Sequence, residues 1–358
     1  MPLIMLTGGG TAGHVTPNIA LIAEAQRRGW QIHYVGSVHG IERELIEPLN
    51  IPYHAISSGK LRRYFSWENF VDPFRVLMGF MQGLILCAKL KPDLLFSKGG
   101  FVSVPIVIAA WLLRIPVISH ESDITPGLAN RIAYPFCRKI CVAFEATVSF
   151  LPSAKVIVTG TPIRESILRG DKAAGLSFIG LADDKPLLLV FGGSLGAAVL
   201  NAQVRSVLDE LLETFNVMHV TGAGNLDSSV DRPGYVQLAF VAQEFGDLLA
   251  AAAVVVSRAG ANSLYELLAL RKPHLLVPLT GAASRGDQLA NAETFEHLGY
   301  SQVIHEEAMT NATFLSALRQ LYEQRTSIVE RLSSFEVKDS VNLIANEIGR
   351  QIRTQPGA

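Results

Sequence analysis

Apolar residues in this chain come in short runs, each ending at glycine or small polar residues, with helical periodicity following. Leu3 to Leu6 reads as a strand, Gly8 to Gly13 as a turn, and Pro17 to Arg28 as a helix stopped by Gly29. A second strand, Gln31 to Val35, follows at once. The scheme returns at Asp93 to Phe96, Gly99-Gly100, a helix through Ala110 and the strand Pro116 to Ser119. Such alternation predicts the α/β class, a parallel sheet with helices on both faces. After Thr159-Gly160-Thr161-Pro162 the chain turns polar, and 160–185 reads as an interdomain connection. Lys185 to Phe191 then restarts the pattern, followed by Gly192-Gly193-Ser194-Leu195-Gly196 and a helix. Further strands are expected at Asn216 to Val220, Val236 to Phe240, Val254 to Ser257 and His274 to Val277.

Length supports the same division. A chain of 358 residues exceeds the ~250–300 that one core usually serves, so two domains are expected. They are placed at 1–161 and 162–337, with a C-terminal helix of about 338–358 packing back on the first. In open parallel sheets ligands sit beyond the carboxyl ends of the strands, where these glycine loops fall, and two such edges facing each other make a cleft. A net charge of -1 argues against a nucleic-acid partner. Three cysteines, Cys87, Cys137 and Cys141, cannot pair completely and read as reduced structural thiols. MPLIML runs into the glycine loop without a basic n-region or cleavage site, so no secretory signal is expected.

Gly8-Gly9-Gly10-Thr11-Ala12-Gly13 fits the dinucleotide fingerprint in form, but the second strand ends in Gly36-Ser37, without the acid that would hold a ribose. A Walker loop fails too, because His14 and Val15 follow Gly13. What remains is an anion held by backbone amides at a helix start, or merely a tight turn. Gly192 to Gly196 offers the same chemistry from the second half, with the Ser194 hydroxyl as an added donor, so the two loops together suggest a diphosphate held between domains. Ser257 to Glu266 again runs from strand end into helix, with Glu266 two turns in as a ribose ligand or a solvated helix residue.

Taken together these motifs resemble the MurG family, lipid II-forming N-acetylglucosamine transferases of the GT-B type. The resemblance rests on Thr7 to Pro17, Lys98 to Ser103, His120-Glu121, Pro126 to Asn130, Gly160 to Arg164, the Ser194 loop, Arg258 to Glu266 and Asp287 to Ala292, in family order over nearly the whole chain. It implies two Rossmann-like domains with parallel sheets facing across a cleft. It also implies inverting transfer of N-acetylglucosamine from UDP-GlcNAc to the C4 hydroxyl of the muramyl residue of undecaprenyl-linked lipid I. On the donor side it implies Thr11, Ala12, Gly13, Arg164, Ser194, Leu195, Gly196, Arg258, Gly260, Ala261, Asn262, Glu266 and Gln288. On the acceptor side it implies Gly99, Gly100, Phe101, Ser122, Asp123 and Asn130. His14 and Glu121 are the acid/base candidates; a histidine at a helix start titrates near neutral pH and suits a base. No D-x-D triplet occurs, so no metal and no cofactor are expected, with helix dipoles and Arg164 balancing the leaving diphosphate. The chain departs from the family at Ala12, at Ser122-Asp123, where Gln-Asn is frequent, at Thr161 and at Asp287.

One segment bears on location. Lys60, Arg62, Arg63, Phe65, Phe74, Arg75, Leu77, Met78, Phe80, Met81, Leu84 and Ile85 join cations to an apolar stretch, as in a helix laid on anionic lipid, though a core helix with flanking charges reads the same way. Its uncharged run, Val76 to Ala88, is about 13 residues against the ~20 of a spanning helix, so a buried or interfacial helix is expected. A peripheral place on the cytoplasmic side of the cell membrane follows from the resemblance.

Overall fold

Strands covered on both faces must be apolar nearly throughout, and the chain supplies them as alternating pairs of core faces. The computed structural model describes residues 1–59, 68–193, 196–280 and 286–353. It divides into one unit of Met1–Arg164 with Lys338–Ala358, and a second of Glu165–Val337.

The first unit runs β1 (Leu3–Thr7), α1 (Thr16–Arg27), β2 (Gln31–Ser37), α2 (Ile41–Ile46), β3 (Tyr53–Ile56), α3 (Glu68–Leu90), β4 (Leu94–Ser97), α4 (Ser103–Leu112), β5 (Val117–Glu121), α5 (Leu128–Ala133), β6 (Lys139–Val142) and β7 (Val156–Val158). All pairings are parallel, in the order β3-β2-β1-β4-β5-β6-β7. Alternation along the strands sorts the core. Ile4, Leu6, Leu94 and Phe96 face one cluster with Leu21 and Ile22 of α1, while Met5, Leu95 and Val35 face another with Ile106, Val107 and Ala110 of α4.

The second unit runs α6 (Glu165–Leu168), α7 (Lys172–Ile179), β8 (Leu187–Phe191), α8 (Ala198–Ser206), α9 (Leu208–Thr214), β9 (Asn216–Val220), β10 (Tyr235–Leu238), α10 (Phe245–Ala251), β11 (Ala252–Ser257), α11 (Ala261–Ala269), β12 (His274–Leu276), α12 (Asp287–His297), β13 (Gln302–Val303), α13 (Asn311–Glu323) and α14 (Arg325–Leu332). Its sheet is also parallel, ordered β10-β9-β8-β11-β12-β13. The last helix, α15 (Ser340–Arg353), belongs to the first unit. Its Ile344, Ala345 and Ile348 complete the core under α1, and Arg28 donates to Asn346 Oδ1 at 2.9 Å and Asn342 Oδ1 at 3.0 Å.

Two expectations need correction. The polar stretch 160–185 is not a bare connection, because α6 and α7 form there and pack on α10. Asp171 caps α7 by accepting from Ala174 N at 2.7 Å, and Gly175 lets the helix touch the Asp247 backbone, where a Cβ would collide. The apolar segment is also longer than its uncharged core: α3 has 23 residues, and Asp72–Leu90 is long and apolar enough to cross a membrane by length and composition. One face is nevertheless seated on protein. Ser57 N donates to Gln82 Oε1 at 2.7 Å, Cys87 is buried, and Gly83 approaches Ile106 and Ala109. Phe74, Leu77, Met78, Met81 and Ile85, at helical spacing, are exposed on the opposite side. Lys60, Arg62, Arg63 and Phe65 lie outside the described residues. The three cysteines are free and buried, with thiols pushed up to about 12 by burial.

Candidate active site

In both sheets the strand order reverses beside the first strand of the unit, between β1 and β4 and between β8 and β11. Loops diverge at such a point and leave a crevice at the carboxyl ends. Many of the sequence-derived candidates follow the strands beside these two points, one in each unit, while Arg164 follows the edge strand β7 and Gln288 lies on α12.

In the first unit, Gly8 to Gly13 leaves β1 and a 3-10 turn, Ala12–His14, leads into α1. Tyr34 Oη donates to Gly8 O at 2.7 Å, and Asn18 Nδ2 donates to Thr7 O at 3.3 Å, so the start of the loop is pinned from below. Gly9 N donates to Gly99 O at 3.3 Å. Gly10 N donates to Glu42 Oε2 at 3.2 Å, and the other oxygen of Glu42 accepts from Ser37 N at 2.9 Å and Ser37 Oγ at 2.5 Å. Glu42 is completely buried. This changes the expectation that the amides of the first glycines await an outside anion: the protein supplies the carboxylate itself. Sequence reasoning missed Glu42 because it sits in Ile41-Glu42-Arg43-Glu44, where nothing distinguishes it from its charged neighbours. Thr11 is exposed, Ala12, Gly13 and His14 are half-buried, and His14 Nδ1 lies 3.0 Å from Thr11 Oγ1.

Beside this loop, Gly99 and Gly100 take φ of 97° and 85°, and a Cβ on Gly100 would strike Gly9 O, so both glycines are required. Phe101 is half-buried at the entry to α4. Glu121 ends β5 and is buried. Its carboxylate accepts from Ser122 N (2.9 Å), Asp123 N (3.1 Å), Gly127 N (3.0 Å), Asn130 Nδ2 (2.9 Å) and Tyr134 Oη (2.9 Å). Its lone pairs are thus committed to folding the loop that bears Ser122 and Asp123. Asn130 also donates to His120 O at 3.3 Å. His120 Nε2 lies 2.8 Å from Gly160 O, and since a carbonyl only accepts, Nε2 carries the hydrogen of a neutral ring; burial pushes the imidazole well below its usual titration range. A cleft of about 570 Å³ opens beside this loop, lined by Thr125, Pro126, Arg131, Tyr134, Phe150 and Lys155 among others.

In the second unit, Gly193 and Gly196 take φ of 87° and 75° after β8, while Ser194 and Leu195 lie outside the described residues. Gly260 caps α11, which begins with Ala261 and carries no acid in its first turn, the electropositive end that an anion favours. Asn262 and Glu266 are half-buried on α11, and Arg164 is half-buried at the end of the first unit's main segment. Arg258 is turned inward: it donates to Val277 O at 3.0 Å and pairs with Glu306 at 2.6 Å, and Thr280 Oγ1 donates to the same carboxylate at 3.0 Å. Gln288 Oε1 accepts from Leu279 N at 3.0 Å. Arg258, Glu306 and Gln288 therefore brace the segment 277–280; Glu306, beside Glu307 on a short 3-10 turn, gave no sequence signal. Among the described residues no three His, Cys, Asp or Glu side chains are grouped to hold a metal ion.

Two parallel-sheet α/β units with these loops at their switch points form the plan of a GT-B glycosyltransferase. Residues 4–142 match the glycosyltransferase family 28 N-terminal domain and residues 187–346 the family's C-terminal domain, and the chain belongs to this family. A Legionella pneumophila (strain Lens) protein, "UDP-N-acetylglucosamine--N-acetylmuramyl-(pentapeptide) pyrophosphoryl-undecaprenol N-acetylglucosamine transferase", is 50% identical over 99% of this chain and 98% of its own. A Lachnoclostridium phytofermentans protein of the same name is 53% identical, over 96% and 97%. The crystal structure of Acinetobacter baumannii MurG superposes with a TM-score of 0.74 at 25% identity, covering 98% of this chain and all (100%) of that one.

Proposed function

We propose that the protein transfers N-acetylglucosamine from UDP-GlcNAc to the C4 hydroxyl of the muramyl residue of lipid I, giving lipid II with inversion at the anomeric carbon. What carries the reading is near-full-length likeness at about half identity to relatives bearing that name, spanning both units. In the step proposed, the acceptor oxygen forms a bond to the anomeric carbon as the bond to the UDP oxygen breaks. UDP leaves with the electron pair and the hydroxyl proton goes to the base.

His14 is assigned as that base, at the carboxyl edge of the first unit and held by Thr11. Glu121 is assigned to positioning, since five donors already occupy it. The leaving diphosphate is assigned to the N-terminus of α11 and its Gly260 cap, with Arg164, Ser194 and Gln288 on the donor and Glu266 on the ribose. Ser122, Asp123 and the cleft beside them are assigned to the acceptor. The exposed face of α3 is assigned to the cytoplasmic surface of the membrane, where the acceptor's lipid tail resides.

The test is incubation of the purified protein with labelled UDP-GlcNAc and lipid I. Transfer of label to the lipid-linked product is expected. Absence of transfer, with UDP-GlcNAc still bound, would make the protein a UDP-sugar binder; transfer only to another glycolipid would reassign the acceptor.

A further inference from the structure

Lys98 has no part in the chemistry above, yet it occupies a costly position. It directly follows β4 at the reversal point of the first sheet and is only 1% exposed. An ammonium taken out of water is costly unless opposite charge and hydrogen bonds meet it. Its Nζ donates to Ser122 Oγ, and Glu121 and Asp123 on the same loop supply the opposing charge. Burial still prevails, lowering the lysine to about 8. Below it, a Cβ on Gly8 would sit 3.0 Å from that of Lys98, so the residue is wedged between the first glycine loop and the loop after β5. Two carboxylates two positions apart on a partly buried loop repel one another, and the nearby Lys98 ammonium offsets this.

We propose that Lys98 is a positioning residue for the acceptor: through Ser122 and the carboxylates of Glu121 and Asp123, its ammonium holds the loop Glu121–Gly127 in the form that receives the sugar hydroxyl. The inference rests on the acceptor reading of this edge. Other titratable groups around it do not duplicate the charge. His120 is held neutral by burial, Tyr34 and Tyr134 are pushed up by burial and stay protonated, Glu42 is turned to Gly10 and Ser37, and His14 is tied to Thr11. Raising the pH through about 8 discharges Lys98 and leaves the carboxylates unbalanced, so use of the acceptor falls on that limb.

The full-length protein is assayed with UDP-GlcNAc and lipid I from pH 6.5 to 9.5. Lys98→Met is expected to lower kcat/KM for the acceptor by about 10²-fold, as misplacement at an active site does, with the donor KM within about twofold. The alkaline fall near pH 8 should disappear, and adding Asp123→Asn should recover about tenfold by removing one unbalanced charge. Wild-type acceptor kinetics with an unchanged alkaline limb, or a loss confined to the donor KM, would overturn the proposal. If Lys98→Met does not fold, Asp123→Asn alone decides: loss of an attractive charge should move the alkaline limb to lower pH, and an unmoved limb would overturn it. A wild-type protein inactive on lipid I removes the acceptor reading and this inference together, whereas an active one indifferent to Lys98 removes only the inference.

Discussion

The two sheet edges share a plan but differ in where their charges go. In the first unit the reversal point is filled by the protein's own ions: Glu42 on Gly10 and Ser37, Lys98 on Ser122, and Glu121 on five donors. In the second unit the arginine and its acid, Arg258 and Glu306, are drawn behind the edge to brace 277–280, and the start of α11 carries no acid. Glycine loops of similar spelling therefore have different chemistry. One is closed around an internal carboxylate and presents a shaped polar surface; in the second unit the turn after β11, capped by Gly260, leads to the electropositive start of α11, suited to a diphosphate.

That contrast can be broken in graded steps. Glu121→Ala should have the largest effect, stranding donors at a buried position: roughly 3 kcal/mol of stability, read by denaturant unfolding, and at least ~10²-fold in acceptor kcat/KM. Glu306→Gln should act on the other substrate, raising the donor KM about tenfold by slackening Arg258 and 277–280, with the acceptor KM nearly unchanged. Equal effects on both substrates would erase the proposed division. Glu42→Gln should cost about 1–2 kcal/mol in the same unfolding measurement and leave donor affinity unaltered. Donor binding that tightens tenfold would instead mark the first loop as the diphosphate site. Leu77→Ser with Met81→Ser should leave stability and detergent activity within about twofold, since exposed side chains contribute little, while reducing flotation with anionic vesicles.

Much of this arrangement was legible in the chain because glycine and strand signals coincide at the reversal points. Leu3 to Leu6 followed by Gly8, and Val254 to Ser257 followed by Gly260, are patterns that few other elements produce. Strands such as Val156–Val158 and Gln302–Val303 are too short to show a period and are defined by their neighbours in the sheet. The helix Lys172–Ile179 was hidden because it is only eight residues long and buries only Gly175, Leu176 and Ile179, with Gly175 at the contact with α10. Among the site residues, those in loops could be named, while the partners that hold them could not. Glu42, Lys98 and Glu306 gain their meaning from contacts 32, 24 and 48 positions away in sequence, with Gly10, Ser122 and Arg258 respectively.

The central claim is that the proposed base, His14, lies in the first unit while the leaving diphosphate is assigned to the start of α11 in the second, so that catalysis and UDP-sugar binding separate. Calorimetric titration of His14→Ala with UDP-GlcNAc, alongside its transfer rate on lipid I, tests this most directly. The account predicts donor affinity within about threefold of wild type and transfer reduced by roughly 10²–10⁴-fold, the usual contribution of a general base. Donor binding lost together with transfer, or transfer that persists at the wild-type rate, would contradict it.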